Sequence, residues 1–194
     1  LVGGRVSLIV SGNKNYGLAK EINTSFKSAT FASRSSGWDL TNPEIQQKFA
    51  EKSLDFKFYI SCSSLYGFHQ LSLLERVVHC WKREKHQGRI IAVGSSADTP
   101  VKASAWMYPI EKKALKAYCR NLGNLCIGYI DREPMNFRIT YLSVGHLNTP
   151  YSNEKHPLAD KLDLEYVVSL MKWIISQPTS VNIHEFSVDP VQIR

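Results

Sequence analysis

Val6 to Ile22 reads VSLIVSGNKNYGLAKEI, and the change of pattern inside it decides the fold. Val6 to Ser11 is a short apolar run, as a strand buried on both faces requires. Gly12 follows and can make a tight turn. Leu18, Ile22 and Phe26 then recur at i, i+4 and i+8, which sets them on one face of a helix. A buried strand that passes through a glycine turn into a helix is the opening of a βαβ unit.

The alternation continues to the end of the chain. Ala29 to Ser33 reads as a strand, and Asn42-Pro43-Glu44 as a helix start, since Asn caps and Pro suits the first turn. Strands follow at Phe56–Ser61, Arg89–Val93, Phe137–Val144 and Val181–Val188. Helical stripes lie between them: Leu71, Leu74, Val78 and Trp81, closed by Gly88; then Ile110, Ala114, Ala117 and Tyr118; then Leu164, Val167, Val168, Met171, Ile174 and Ile175. Gly123 to Met135 fits either an extension of the preceding helix or a loop. With a short third strand before Trp38, the pattern predicts an α/β, Rossmann-type doubly wound parallel sheet of about seven strands, helices on both faces. One domain is expected over residues 1–194.

The bulk numbers agree with that class. A chain of 194 residues with 43% hydrophobic and 21% charged content can bury one core. No run approaches the ~18 uncharged apolar residues of a membrane span. Leu1-Val2-Gly3-Gly4 does not read as a secretory signal. Cys62, Cys80, Cys119 and Cys126 have spacings that suit neither a zinc cluster nor a disulfide framework, so reduced thiols and a cytoplasmic protein are expected. The net charge is +7, densest at His79, Lys82, Arg83, Lys85, His86 and Arg89. No aromatics interleave there, so the cluster reads as cations at a helix end rather than a nucleic-acid patch. The positive balance can also attract an anionic cofactor.

Ligands of such sheets sit outside the carboxyl ends of the strands. After the first strand, Gly12 can turn the chain, and Gly17 and Ala19 leave room for a diphosphate at the helix N-terminus. Lys14, Tyr16 and Leu18, at and just after this turn, are further cofactor-binding candidates. After the second strand comes Ser33-Arg34-Ser35. A carboxylate there would accept bonds from the ribose hydroxyls of NAD; Arg34 instead suits a 2′-phosphate, so NADP(H) is the expected cofactor. Asp39, followed by Leu40, either reaches the adenine amino group or begins a turn.

Val93 to Leu115 reads VGSSADTPVKASAWMYPIEKKAL. Ser95 stands 13 residues before Tyr108, and Lys112 four after it. Residues four apart share a helix face, so Lys112 can stand beside Tyr108 and favour its phenolate. Pro109 is tolerated in a first helical turn, so the helix is expected to begin near Tyr108. This stretch, with the glycine loop and SRSSGWDLT at Ser33–Thr41, resembles the short-chain dehydrogenase/reductase family, and the resemblance runs from Val6 to about Pro190. It implies Ser95, Tyr108 and Lys112 as the catalytic set. Tyr108 would exchange a proton with a carbonyl or alcohol oxygen that Ser95 Oγ also holds, and Lys112 would hold a nicotinamide ribose hydroxyl. It also implies that Gly145 and Thr149 contact the cofactor, that the substrate is a small carbonyl or alcohol, and that the protein is a homodimer or homotetramer binding neither nucleic acid nor membrane.

The match departs from the family pattern in several places. Four residues separate Gly12 from Gly17 where the family commonly has three, and Ala19 replaces a third glycine. Val144 stands where a proline is usual. Ile60-Ser61-Cys62-Ser63 replaces Asn-Asn-Ala-Gly. No Asn lies between Asp55 and Arg120, where many members have one that relays protons to the lysine; Ser72 and Gln70 are the candidates to replace it through water. The segment from Gly145 to Pro157 is brief for a substrate-binding insertion. Tyr66, His69 and His146 are either substrate neighbours or ordinary packed and exposed residues. The competing reading is a non-catalytic NADP(H)-binding redox sensor or scaffold on the same fold.

Overall fold

The computed structural model describes residues 6–99, 105–128 and 133–191. Its six strands are β1 (Leu8–Ser11), β2 (Thr30–Ala32), β3 (Phe58–Ser61), β4 (Gly88–Val93), β5 (Phe137–Val144) and β6 (Glu185–Val188). They form one sheet in the order β2-β1-β3-β4-β5-β6. Every pairing is parallel. Among the described residues the α-helices are α1 (Gly17–Ser25), α2 (Pro43–Lys52), α3 (His69–Arg83), α4 (Tyr108–Cys126), α5 (Pro150–Lys155) and α6 (Leu164–Ser176). This is the doubly wound α/β sheet that the sequence predicts.

Alternate residues of the strands feed two cores, as the period of a strand requires. Ile9, Tyr59, Ile90, Ala92, Ile139 and Tyr141 face a core closed by α2, α3 and α4. Leu8, Val10, Ile60, Ile91, Leu142 and Val144 face a second core closed by α1 and α6. The strand order reverses between β1 and its two neighbours, so a crevice opens at the carboxyl ends of β1 and β3.

Three expectations need correction. The short strand before Trp38 is absent. Arg34–Ser36 forms a 3₁₀ turn instead, because Ser33 and Ser36 exchange side-chain-to-backbone bonds and Gly37, at φ 84°, ends the turn. Local hydroxyl bonds there replace a ladder. The buried stripe of α4 is Glu111, Lys112, Leu115, Cys119, Leu122 and Cys126, not the Ile110 stripe; Ile110 is exposed. A charged pair at the head of that stripe hides its apolar period. Finally, the last strand begins at Glu185, since Asn182 spends its side-chain carbonyl on the Ile139 amide and interrupts regular pairing. Of the segment from Gly123 to Met135, α4 takes the part up to Cys126, and residues 129–132 lie outside the described residues.

The basic cluster does not form one surface. Arg89 is buried, and its guanidinium donates to the carbonyls of Gln177, Pro178 and Val181. His86 bonds the Phe56 carbonyl and packs on Trp81. These two side chains tie the sheet to its neighbours. All four cysteines are free thiols. Among the described residues, no helix is long and apolar enough to cross a membrane.

Candidate active site

The glycine loop leaves β1 at the crevice. The Gly12 amide donates to the Ala32 carbonyl at 2.9 Å, and a β-carbon on Gly12 would stand 3.0 Å from Ala19 Cβ. Gly12 and Ala19 are therefore matched: each is small because the other is near. Gly17 opens α1 at φ 53°, a conformation that favours glycine. Tyr16, the N-cap, supplies no side-chain bond, and the first turn of α1 carries no acid. The first amides of α1 thus lack the usual side-chain acceptor, which leaves donors for an anion. Lys14 and Tyr16 are exposed beside them, whereas Leu18 is buried.

Thr149 arrives at the same place from β5. A β-carbon on Gly17 would lie 3.7 Å from Thr149 Cγ2. The fold therefore brings Gly17 and Thr149 together from opposite ends of the sequence. Thr149 caps α5 by accepting from the Ser152 amide at 3.2 Å. Gly145 sits where a side chain would strike Asp189 and Pro190, so its smallness serves packing of the chain end. These residues fit a dinucleotide: a glycine cradle, an uncapped helix start and a hydroxyl-bearing turn share one crevice.

Arg34 and Asp39 are found as a pair. Their side chains approach to 3.3 Å at the surface, with 77% and 46% of each exposed. Asp39 Oδ1 also accepts from the Thr41 hydroxyl at 2.7 Å and the Thr41 amide at 3.2 Å. Those bonds, with Arg34 after them, hold the carboxyl below its ordinary pKa. Leu40 points into the core, and its carbonyl accepts from Gln46 at 2.8 Å. Its side chain therefore does not face the crevice.

The other half of the site lies at the ends of β4 and β5. Tyr108 is the first residue of α4, with Pro109 in the first turn, as the sequence predicts. Lys112, one turn later, is buried, and its Nζ lies 5.3 Å from the Tyr108 ring centroid. Burial presses the lysine pKa down to about 8, against opposing pulls from Cys62 and Glu111. Lys112 Nζ donates to Gln70 Oε1 at 2.6 Å. Gln70 Nε2 in turn donates to the Val93 carbonyl at 3.0 Å and the Ser61 carbonyl at 3.3 Å. The side chain of Gln70 thus binds the ammonium directly and anchors it to the ends of β3 and β4. Ser72 faces away, bonding Gln46 Oε1.

Ser95 begins the turn at Ser96–Asp98, and its Oγ accepts from the Ala97 amide at 3.2 Å. Beneath it, Tyr141 of β5 is fully buried. The Tyr141 hydroxyl accepts from the Ser95 amide at 3.4 Å and donates to Asp98 Oδ2 at 2.8 Å. It also lies 3.4 Å from the Lys112 carbonyl. One phenol therefore ties the Ser95 turn to α4. A side chain on Gly94 would collide with the Tyr141 ring, so the glycine before Ser95 is required by that ring. Asp98 is buried with Lys116 at 3.4 Å, and Lys116 reaches Glu185 at 2.9 Å. Residues 100–104, between Ser95 and Tyr108, lie outside the described residues.

Of the substrate candidates, Tyr66 stands 6.1 Å from Tyr108, ring to ring. His69 opens α3, next to Gly67. His146 instead packs on His156 at 4.7 Å. Sequence reading missed Tyr141, Asp98, Glu111 and Trp106. The signal for Tyr141 is present only in combination: a tyrosine in an apolar strand needs a partner for its hydroxyl, and the glycine before Ser95 makes room for it.

No protein-family model matches the sequence, and no curated protein matches it. Solved structures do match. One is described as a short chain dehydrogenase/reductase family protein, at 15% identity and a TM-score of 0.71, covering 94% of this chain and 95% of that one. An alcohol dehydrogenase from the archaeon Thermococcus sibiricus, complexed with 5-hydroxy-NADP, superposes at a TM-score of 0.70, with 15% identity and coverage of 97% and 98%. A 4-hydroxyisoleucine dehydrogenase complexed with NADH also superposes at 0.70, with 16% identity and coverage of 94% and 96%. The chain has the short-chain dehydrogenase/reductase fold.

Proposed function

We propose that the protein is an NADP(H)-dependent oxidoreductase of the short-chain dehydrogenase/reductase family that interconverts a small carbonyl and its alcohol. The single observation that carries this reading is Lys112: a lysine held 2.6 Å from Gln70 and 5.3 Å from the Tyr108 ring, in a buried position. Burying an ammonium is costly, and a sensor or scaffold has no use for one beneath a tyrosine.

Gly12, Lys14, Tyr16, Gly17, Leu18, Gly145 and Thr149 are the residues we assign to the cofactor, with Arg34 for a 2′-phosphate and Lys112 for the nicotinamide ribose. The bound nicotinamide supplies or accepts the hydride. The protein's own part is the proton and the geometry. Tyr108 gives its phenolic proton to the carbonyl oxygen as the carbon gains hydride, or takes one from the alcohol in reverse. Ser95 Oγ donates to the same oxygen. The Lys112 ammonium stabilises the phenolate that remains, and Gln70 keeps the ammonium in place without an asparagine.

The neighbours bound to NADP and to NADH show that this fold serves both cofactors, so the preference for NADP(H) rests on Arg34 and the lack of an acid beside it. The test is a panel of aldehydes and ketones followed by loss of NADPH absorbance, with Tyr108→Phe as control. The variant is expected to lose about 10²- to 10⁴-fold in turnover and to keep its affinity for NADPH. Undiminished turnover in Tyr108→Phe would remove the tyrosine from the mechanism.

A further inference from the structure

We propose that the substrate carries a planar aromatic or conjugated ring beside its carbonyl, and that Tyr66 and Trp106 form the wall on which this ring packs. The proposal rests on the carbonyl–alcohol reading above and adds the class of carbonyl.

Two further aromatic side chains meet at the proposed acid. Trp106 lies nearly parallel to Tyr108, with centroids 4.9 Å apart and 22° between the planes. Tyr66, from the loop after β3, flanks Tyr108 at 6.1 Å and 58°. Tyr151, on α5, lies within electrostatic reach of Tyr66. Burial first, and then the phenols of Tyr151 and Tyr108, push the Tyr66 pKa up. Tyr66 and Trp106 are nevertheless 57% and 54% exposed. Single exposed aromatics need no explanation, but a group of them around one reactive position marks a ligand surface.

The backbone beside Tyr66 holds it there. Gly67 and Phe68 both have positive φ, 71° and 62°. That conformation is an outlier for a bulky residue such as phenylalanine. It is fixed by Glu111 Oε1, which accepts from the Gly67 amide at 2.9 Å. A buried carboxylate of α4 thereby pins the loop that carries Tyr66 next to the helix that carries Tyr108. The depression between them is lined by Tyr66, Phe68 and Tyr108, with Gln70 and Lys112 on its polar side.

The chemistry of this wall selects the ligand. Ring faces and edges gain from offset or edge-on contact with another ring, which a saturated chain does not supply. A cationic ligand, the other common guest of aromatic walls, is repelled by the Lys112 ammonium. Glu111 offsets part of that charge, with its Oε1 held by the Gly67 amide on the loop side. A neutral conjugated carbonyl fits both terms, with its oxygen towards Tyr108 and Ser95 and its ring towards Tyr66.

The experiment compares benzaldehyde with cyclohexanecarbaldehyde, which match in size and differ in planarity. Each is offered with NADPH to the parent protein, Tyr66→Ala, Trp106→Ala and Tyr66→Phe. We expect kcat/KM to favour benzaldehyde about ten-fold in the parent, the size of one or two aromatic contacts. Most of that ratio is expected to vanish in both alanine variants and to survive in Tyr66→Phe. A ratio near one in the parent, or one unchanged in both alanine variants, overturns the proposal. If neither aldehyde is turned over, the reductase reading falls, and binding decides the substrate class. Saturation-transfer NMR would then show transfer to the benzaldehyde ring that Tyr66→Ala abolishes. Equal transfer to both aldehydes would overturn the aromatic wall.

Discussion

The two halves of the crevice are built on opposite principles. Around the glycine loop and β2, the groups assigned to the cofactor lie at the surface: Lys14, Tyr16 and Arg34 reach into solvent, and the Arg34–Asp39 pair is 77% and 46% exposed. At the ends of β4 and β5 the polar groups are inside. Gln70, Asp98, Glu111 and Lys112 are buried, and each has a named partner. The polar groups of the first half lie in solvent or in exposed pairs; those of the second are bonded to one another inside the protein. Substitutions should therefore act on binding in one half and on stability and proton chemistry in the other.

The largest effect is expected from Gln70→Ala. It strips the acceptor from a buried ammonium and a donor from the Val93 carbonyl, and each orphaned group costs about 1–3 kcal/mol. Chemical denaturation should register that loss, and turnover should fall with it. A variant as stable and as active as the parent would show that the buried half does not depend on its interlock.

Arg34→Glu is the matching test of the open half. A charge-assisted bond contributes about 1.5–3 kcal/mol, so NADPH should bind roughly ten- to a hundred-fold more weakly. NADH binding and thermal stability should barely move. Equal affinities of the parent for the two cofactors would take the 2′-phosphate away from Arg34.

Titration separates the halves by another route. The Lys112 pKa is lowered from 10.5 to about 8, chiefly by burial. Between those values the unfolded chain holds a proton that the folded protein has released. This group therefore adds stability as pH rises from 8 towards 10.5, and below 8 its buried charge is a constant cost. Activity runs the other way: carbonyl reduction should decline through pH 8 as the ammonium beside Tyr108 is lost. In Gln70→Ala the decline should shift to lower pH, since the lost bond favours the charged form. A profile flat to pH 10 would contradict the assigned role of Lys112.

The smallest effect is expected from Asp39→Asn. An exposed ion pair contributes about 0–1 kcal/mol, so releasing Arg34 from it should tighten NADPH by no more than about five-fold. Weaker NADPH binding would mean that Asp39 itself contacts the cofactor.

The same contrast explains what could be read from the sequence. The strand–helix order, the start of α4 at Tyr108 and the glycine turn were legible because each rests on local pattern: period, proline placement, a small residue at a strand end. The partners of those residues were not. Gln70 and Lys112 are 42 positions apart, and Tyr141 and Asp98 are 43 apart. Their pairing follows from which strand ends lie side by side, a property of the whole sheet. The buried stripe of α4 is hidden for the same reason: Glu111 and Lys112 are charged, and their partners Gly67 and Gln70 lie far off in the sequence. Asp39 and Leu40 show the converse case. A motif placed both near the cofactor, but a neighbouring threonine claims the carboxylate and the core claims the leucine.

The missing third strand has a consequence for self-association. It leaves β2 and β6 as the outer strands, and they are 3 and 4 residues long. Unpaired strand edges are templates for pairing between copies, and shortness and charge are the usual protections. Here the hydroxyl-capped turn at Ser33 cuts off one edge after Ala32. At the other edge, Glu185 sits under Lys116 and Arg120. A sheet shortened by one strand therefore offers a foreign strand too little backbone to grip on either side.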